Sequence, residues 1–139
     1  MKRKLLKPLL FIVLIGGFLF YFSGTFTGSH AVRLGDSSFK IRGIYGGSWT
    51  YQEISNLELV DRLPEIQGKA FGISDRVISQ GHYTFNNYQY KKGILNVYND
   101  SPPFIMIEIE GSKAVFINSN KEEITKKWFS LLEEKTESR

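Results

Sequence analysis

Two histidines and a scatter of carboxylates are the side chains of this 139-residue chain best suited to catalysis or metal binding. The histidines are His30 and His82, and there is no cysteine. Zinc generally takes three or four protein ligands, so two separated histidines do not make up a set. Lack of cysteine also excludes thiolate catalysis and disulfide bridging. Glu108 and Glu110 have the spacing of a carboxylate pair, but they alternate with Ile105, Ile107 and Ile109. That alternation puts them on the solvated face of a strand, where nothing raises a carboxyl pKa. Glu58, Asp61 and Glu65 flank Leu63-Pro64 as a looser acidic group with the same reading. Gly46-Gly47-Ser48-Trp49-Thr50 ends in Thr where a nucleophile elbow needs Gly, and no strand-then-helix context surrounds it. Gly68 and Gly72 lack the third glycine and the lysine of a phosphate-binding loop. The expectation is a protein that is not an enzyme, with no catalytic residue, no metal site and no cofactor.

Binding is better represented. Residues 65–76 have weak periodicity, with Gly68 and Gly72 on either side of Phe71, and read as a long loop. Long loops on a rigid scaffold often carry function. Arg62, Lys69, Phe71 and Arg76 are therefore the candidate binding surface. Lys91-Lys92 reads as a solvated hairpin tip.

Charge excludes one class of partner. The formal net charge is +4, yet four of the 18 Lys and Arg residues stand at Lys2, Arg3, Lys4 and Lys7. The rest of the chain carries 14 basic and 14 acidic residues. Phosphate backbones are bound by an excess of positive charge, so no nucleic-acid partner is expected.

The basic tip leads into residues 9–22 (LLFIVLIGGFLFYF), 14 residues without a charge, or 18 if extended to Phe26. A membrane crossing takes about 20 apolar residues, while the apolar core of a cleaved signal runs to roughly 7–15. An uncleaved single-pass anchor is the expectation, with a cleaved signal and a secreted protein as the alternative. Basic residues stay on the cytoplasmic side, so the C-terminal domain is expected outside the cell membrane. The expected divisions are a basic tip and transmembrane anchor (1–27), a tether (28–37), one domain (38–135) and a tail (136–139).

Within the domain, period-two alternation and turn residues predict about seven short strands. Residues 54–60 and 78–85 are two of them, and 104–110 (FIMIEIE) alternates most clearly. A two-residue Gly111-Ser112 turn would pair Glu110 with Lys113, Ile109 with Ala114 and Ile107 with Phe116. Ser119 and Glu122 have capping-box spacing, ahead of a helix with an apolar stripe at Ile124, Trp128, Leu131 and Leu132.

Particular residues add a resemblance. Tyr51 with Glu53-Ile54 leads into Leu57 and Leu59, Leu63-Pro64 follows, and Gly72 comes next. Gly81 precedes Tyr83 and Phe85, and Gly93 precedes Val97-Tyr98. Pro103-Phe104-Ile105 with Ile107, then Ile117-Asn118 before the helix, complete the pattern. Over residues 38–135 this resembles the bacterial pleckstrin-homology-like domain family. The resemblance implies a mainly β fold, a bent antiparallel seven-stranded barrel capped by one C-terminal α-helix, here preceded by a transmembrane helix. Phosphoinositide binding is not implied, because the loop Tyr45-Gly46-Gly47-Ser48 carries no charge. The expected function is a membrane-anchored, extracytoplasmic module that binds a protein, peptide or envelope component, an exposed sheet edge being one docking route. The alternative is peripheral binding to a lipid surface through Arg62, Lys69, Arg76, Lys91 and Lys92.

Overall fold

The computed structural model describes residues 12–15 and 32–138, and residues 12–15 are helical. Nine strands follow: β1 (Val32–Leu34), β2 (Ser38–Ile41), β3 (Gly47–Thr50), β4 (Ile54–Val60), β5 (Ile66–Ser74), β6 (Ile78–Phe85), β7 (Lys92–Tyr98), β8 (Phe104–Ile109) and β9 (Lys113–Ile117). A 3₁₀ turn at Tyr51–Glu53 separates β3 from β4, and the C-terminal helix spans Glu122–Glu137. The bounds of β4 and β6 are those that the alternation predicts. β1 lies in the stretch read as a tether and pairs with β2.

The strands form two sheets, β1-β2-β3 and β4-β8-β9-β7-β6-β5. The second sheet is antiparallel except where β9, folded back from β8, inserts beside β7 and runs parallel to it. Its end strands β4 and β5 each pair on one side only, so no barrel closes. The expected seven-stranded closed barrel is therefore corrected to an open mixed sheet packed against a smaller one. The single-pass anchor over residues 1–27, and the extracytoplasmic placement built on it, are not supported. Among the described residues no helix is long and apolar enough to cross a membrane. Apart from 12–15, the anchor reading lies outside the described residues.

Both faces of the inner strands β7, β8 and β9 are buried. On one, Ile94, Ile105, Ile107, Ile109, Val115 and Ile117 pack against Phe39 and Ile41 of β2, Tyr51, and Leu132 of the helix. This is the isoleucine face. On the other, Leu95, Val97, Phe104, Met106, Ala114 and Phe116 pack with Tyr83, Phe85 and Tyr90. The rings of Phe85, Tyr90 and Phe116 meet edge-on at 5.7–5.8 Å.

Two-sided burial explains the largest local departure from expectation. The β8–β9 hairpin pairs Ile109 with Lys113, Ile107 with Val115 and Ile105 with Ile117, one residue off the predicted register. Glu110 leaves the strand, its N–H donating to the Glu53 carbonyl at 3.0 Å. Gly111 and Ser112 then turn the chain with φ of +91° and +65°. A one-residue slip exchanges the faces of every following side chain. The apolar pattern does not resist that slip, because Ala114, Val115, Phe116 and Ile117 are all at most 1% exposed.

The helix start also differs from the capping box. Lys121 is the capping residue, without a side-chain cap. Ser119 instead donates its N–H to Thr125 Oγ1 at 2.8 Å, and its hydroxyl accepts from the Lys121 N–H at 3.2 Å. Leu132 is fully buried beneath the helix, with Trp128 and Phe129 partly buried beside it. Asn118, wholly buried, fastens β9 to the β7–β8 connection. Its oxygen accepts from Tyr98 N–H at 2.7 Å, and its nitrogen donates to the carbonyls of Tyr98 and Ser101.

Candidate binding edge

The stretch read as a loop, 65–76, is chiefly β5, the outermost strand of the large sheet. β5 buries none of its nine side chains. It holds to β6 through a ladder interrupted twice, between Ile66 and Gly68 and between Lys69 and Phe71. Beyond the second bulge the pairing is regular, Phe71 with His82 through Ser74 with Ser79. Its other edge leaves backbone N–H and C=O groups without strand partners, a template for a further strand.

Gly72 and Gly81 face each other across this ladder, with φ of +151° and +149°. A Cβ on Gly72 would lie 2.3 Å from the Gln80 carbonyl oxygen, and one on Gly81 would lie 2.4 Å from that of Phe71. The two backbones approach as closely as they do because neither residue has a side chain.

The turn after β5 is fixed at several points. Asp75 Oδ1 accepts the N–H groups of Ile78 at 2.8 Å and Val77 at 2.7 Å, which hold its carboxyl pKa below the ordinary value, the Ile78 bond contributing most. Asn99 reaches across from the end of β7, donating to the Asp75 carbonyl at 2.8 Å and accepting from the Ser79 hydroxyl at 2.7 Å. Its own N–H donates to the Val77 carbonyl at 2.7 Å.

On that braced ribbon sits an aromatic cluster. Phe71 stacks on His82 with ring centroids 4.3 Å apart, and Tyr45, from the β2–β3 loop, packs on Phe71 at 5.8 Å. Phe71 nevertheless remains 51% exposed. Burial first, and then the positive charge of Lys113, lower the His82 pKa from its ordinary value. Within residues 32–138 the large apolar side chains left exposed are Ile44, Ile66, Phe71, Ile73, Val77 and Tyr88. Three belong to β5, Val77 to the turn beyond it, and Ile44 adjoins Tyr45. Scattered exposed apolar residues need no explanation, but a cluster on an open strand does.

The four residues chosen from sequence are only partly brought together. Phe71 is at the centre, and Lys69 is two positions away, but the bulge pairs Lys69 with Tyr83 and Phe71 with His82. Tyr83 and His82 are consecutive in β6, so Lys69 and Phe71 lie on opposite faces. Arg62 precedes β5 and Arg76 follows it, separated by nine strand residues, about 30 Å. Lys92 starts β7 instead of lying in a hairpin tip. A single cationic surface of Arg62, Lys69, Arg76, Lys91 and Lys92, as lipid binding would need, is not formed. Tyr45 and His82 were missed as site residues, since they meet Phe71 through a loop from the other sheet and through strand pairing.

Elsewhere, a cavity of about 320 Å³ is lined by Asp36, Thr50, Tyr51, Gln52 and Lys135, among others. The Tyr51 hydroxyl donates to the Gly35 carbonyl at 2.7 Å, and its pKa is raised by burial and then by Asp36. Lys135 Nζ lies 5.7 Å from the Tyr51 ring centre. Among the described residues no group of three or more His, Asp or Glu could hold a metal ion. The chain matches no family model, no curated protein and no solved structure.

Proposed function

We propose that this chain is a non-catalytic binding module that takes an extended peptide or protein segment along the outer edge of β5. The carrying observation is that, of the large apolar side chains left exposed within residues 32–138, Ile66, Phe71 and Ile73 belong to one unpaired edge strand and Val77 to the turn beyond it. Strand addition uses main-chain hydrogen bonds for affinity and alternate side chains for specificity. Residues 71–74 supply a regular stretch of ladder for the first. Phe71, backed by His82 and flanked by Tyr45, supplies an aromatic anchor for the second. The hydrogen bonds that Asp75 and Asn99 make at the turn hold the edge in place before a partner arrives, which lowers the ordering cost of binding.

The test is selection of a displayed random-peptide library on the full-length chain, with counter-selection on Phe71→Ser. The expected result is a set of peptides with alternating apolar residues that protect amides of β5 from exchange and bind Phe71→Ser about tenfold or more weakly. A selection yielding no Phe71-dependent binder, or binders that protect amides far from β5, refutes the assignment.

A further inference from the structure

The backbone pattern of β5 bears on which segment its open edge takes. Resting on the strand-edge reading above, we infer that the occupant is β5 of a second copy of this chain, paired antiparallel about a two-fold axis at Gly72. Asp75 donates its N–H to the Ile78 carbonyl at 3.0 Å, closing the β5–β6 hairpin. Antiparallel ladders alternate between pairs that exchange main-chain hydrogen bonds and pairs that do not. Counted back from Asp75, Ile73 with Gln80 and Phe71 with His82 are bonded pairs, while Ser74 with Ser79 and Gly72 with Gly81 are not. Gly72 and Ser74 therefore turn their N–H and C=O groups to the free edge. The tight approach of Gly72 to Gly81, and the 3.3 Å contact between the Ser74 and Ser79 hydroxyls, agree with non-bonded pairs, which come closer together.

That pattern limits how two copies can meet. Residues directly opposite each other must both turn their main-chain groups to the shared edge or both turn them away, so the axis passes through a residue and not between two. With the axis at Gly72, the two Gly72 residues exchange both main-chain hydrogen bonds. Phe71 of each copy then lies opposite Ile73 of the other, on the face that carries His82. An axis one residue on, at Ile73, would oppose Phe71 to Asp75, whose carboxylate holds the turn. Gly72 is thus the centre that sets apolar against apolar, twice over, and aromatic with β-branched pairs stabilise a sheet. Residues 70–74 (AFGIS) contain no charge and no proline, two of the devices that keep edge strands apart. By contrast β4, the other end strand, carries Glu58. Both interruptions of the β5 ladder lie before Phe71, which leaves residues 71–74 regular. So short a ladder makes a small interface, and the dimer is a dissociable one that forms over the micromolar range.

The test uses the full-length chain in mild detergent. Sedimentation at rising concentration should show a dimer, and the amides of Gly72 and Ser74 should gain protection from exchange as it forms. Ile73→Lys, at an exposed position, sets an ammonium group against each Phe71 and should weaken association about tenfold or more while the fold is kept. The chain has no cysteine, so a mixture of Phe71→Cys and Ile73→Cys chains reads the register directly. Opposite residues of a non-bonded pair have Cα atoms about 4.5 Å apart, within disulfide reach, and the mixture keeps one Phe71–Ile73 contact. It should crosslink at least about tenfold faster than either variant alone, because in neither are the two thiols opposite. A monomer at every concentration, association that Ile73→Lys leaves unchanged, or equal crosslinking in all three samples overturns the second copy. Phe71-dependent peptides selected on a monomeric chain leave the strand edge standing with another occupant. An empty selection on a monomeric chain removes both readings.

Discussion

Gly72→Ala should detach β5 without unfolding the domain. The new methyl carbon would stand 2.3 Å from the Gln80 carbonyl oxygen and 2.6 Å from Gly81 Cα. Both are backbone atoms, so no rotamer change relieves the clash and the strand itself must move. Alanine at φ +151° adds backbone strain of about 1–3 kcal/mol. Displacing residues 71–74 also weakens ladder hydrogen bonds worth about 1 kcal/mol each. The local cost is then about 3–5 kcal/mol, and since 1.4 kcal/mol is a factor of ten, exchange should quicken by at least about a hundredfold. Global stability should change far less, because β5 buries no side chain and both cores are built from other strands. Amide exchange followed residue by residue separates the two effects. Amides of residues 66–74 and their β6 partners should lose protection while those of β8 and β9 keep it, and peptide binding should disappear. Gly111→Ala is the control: its φ is +91° but nothing lies within 4 Å of the added carbon. It should cost about 1 kcal/mol and leave β5 unchanged. Wild-type exchange in β5 of Gly72→Ala, or uniform loss across both sheets, would refute the reasoning.

Other parts of the molecule give sharper stability tests. Leu132→Ala opens a fully buried site between the helix and the isoleucine face and should cost about 2–5 kcal/mol, read as a lower urea midpoint. Asn118→Ala strands the Tyr98 N–H and the carbonyls of Tyr98 and Ser101, and should cost about 2–4 kcal/mol with the loss of protection centred on the β7–β8 connection. His82 has a folded pKa below its ordinary 6.5, so the unfolded chain binds its proton more readily. The stability contributed by neutral His82 is present above that ordinary value and declines as pH falls from it through the lowered folded pKa. Urea midpoints across that window should fall more steeply for wild type than for His82→Gln, and parallel slopes would show that the Phe71 stack does not depend on the neutral ring.

The residues that were legible in sequence, and those that were not, divide by how many faces each strand buries. β4 shows its alternation in Leu57, Glu58 and Leu59, and its bounds were read correctly because one face meets solvent. β9 is apolar and buried from Ala114 to Ile117, so alternation does not fix its register, and the hydrogen bond from Glu110 to Glu53 that accompanies the observed one joins residues 57 positions apart, which no local pattern records. β5 was invisible as a strand for the reverse reason. Neither of its faces is buried, so its side chains alternate in nothing, and its two glycines and two bulges resemble a loop. Phe71 could be singled out as an apolar residue among polar neighbours, but the rings that pack on it come from β6 and the β2–β3 loop. Lys92 and Lys113 are 21 residues apart in sequence and become neighbours only because β9 inserts parallel to β7. β5 stands at an open edge because it pairs with β6 alone, at the opposite end of the sheet from β4. The missing pairing between β4 and β5 therefore both rules out the barrel expected from the strand count and leaves the unpaired edge on which the binding assignment rests.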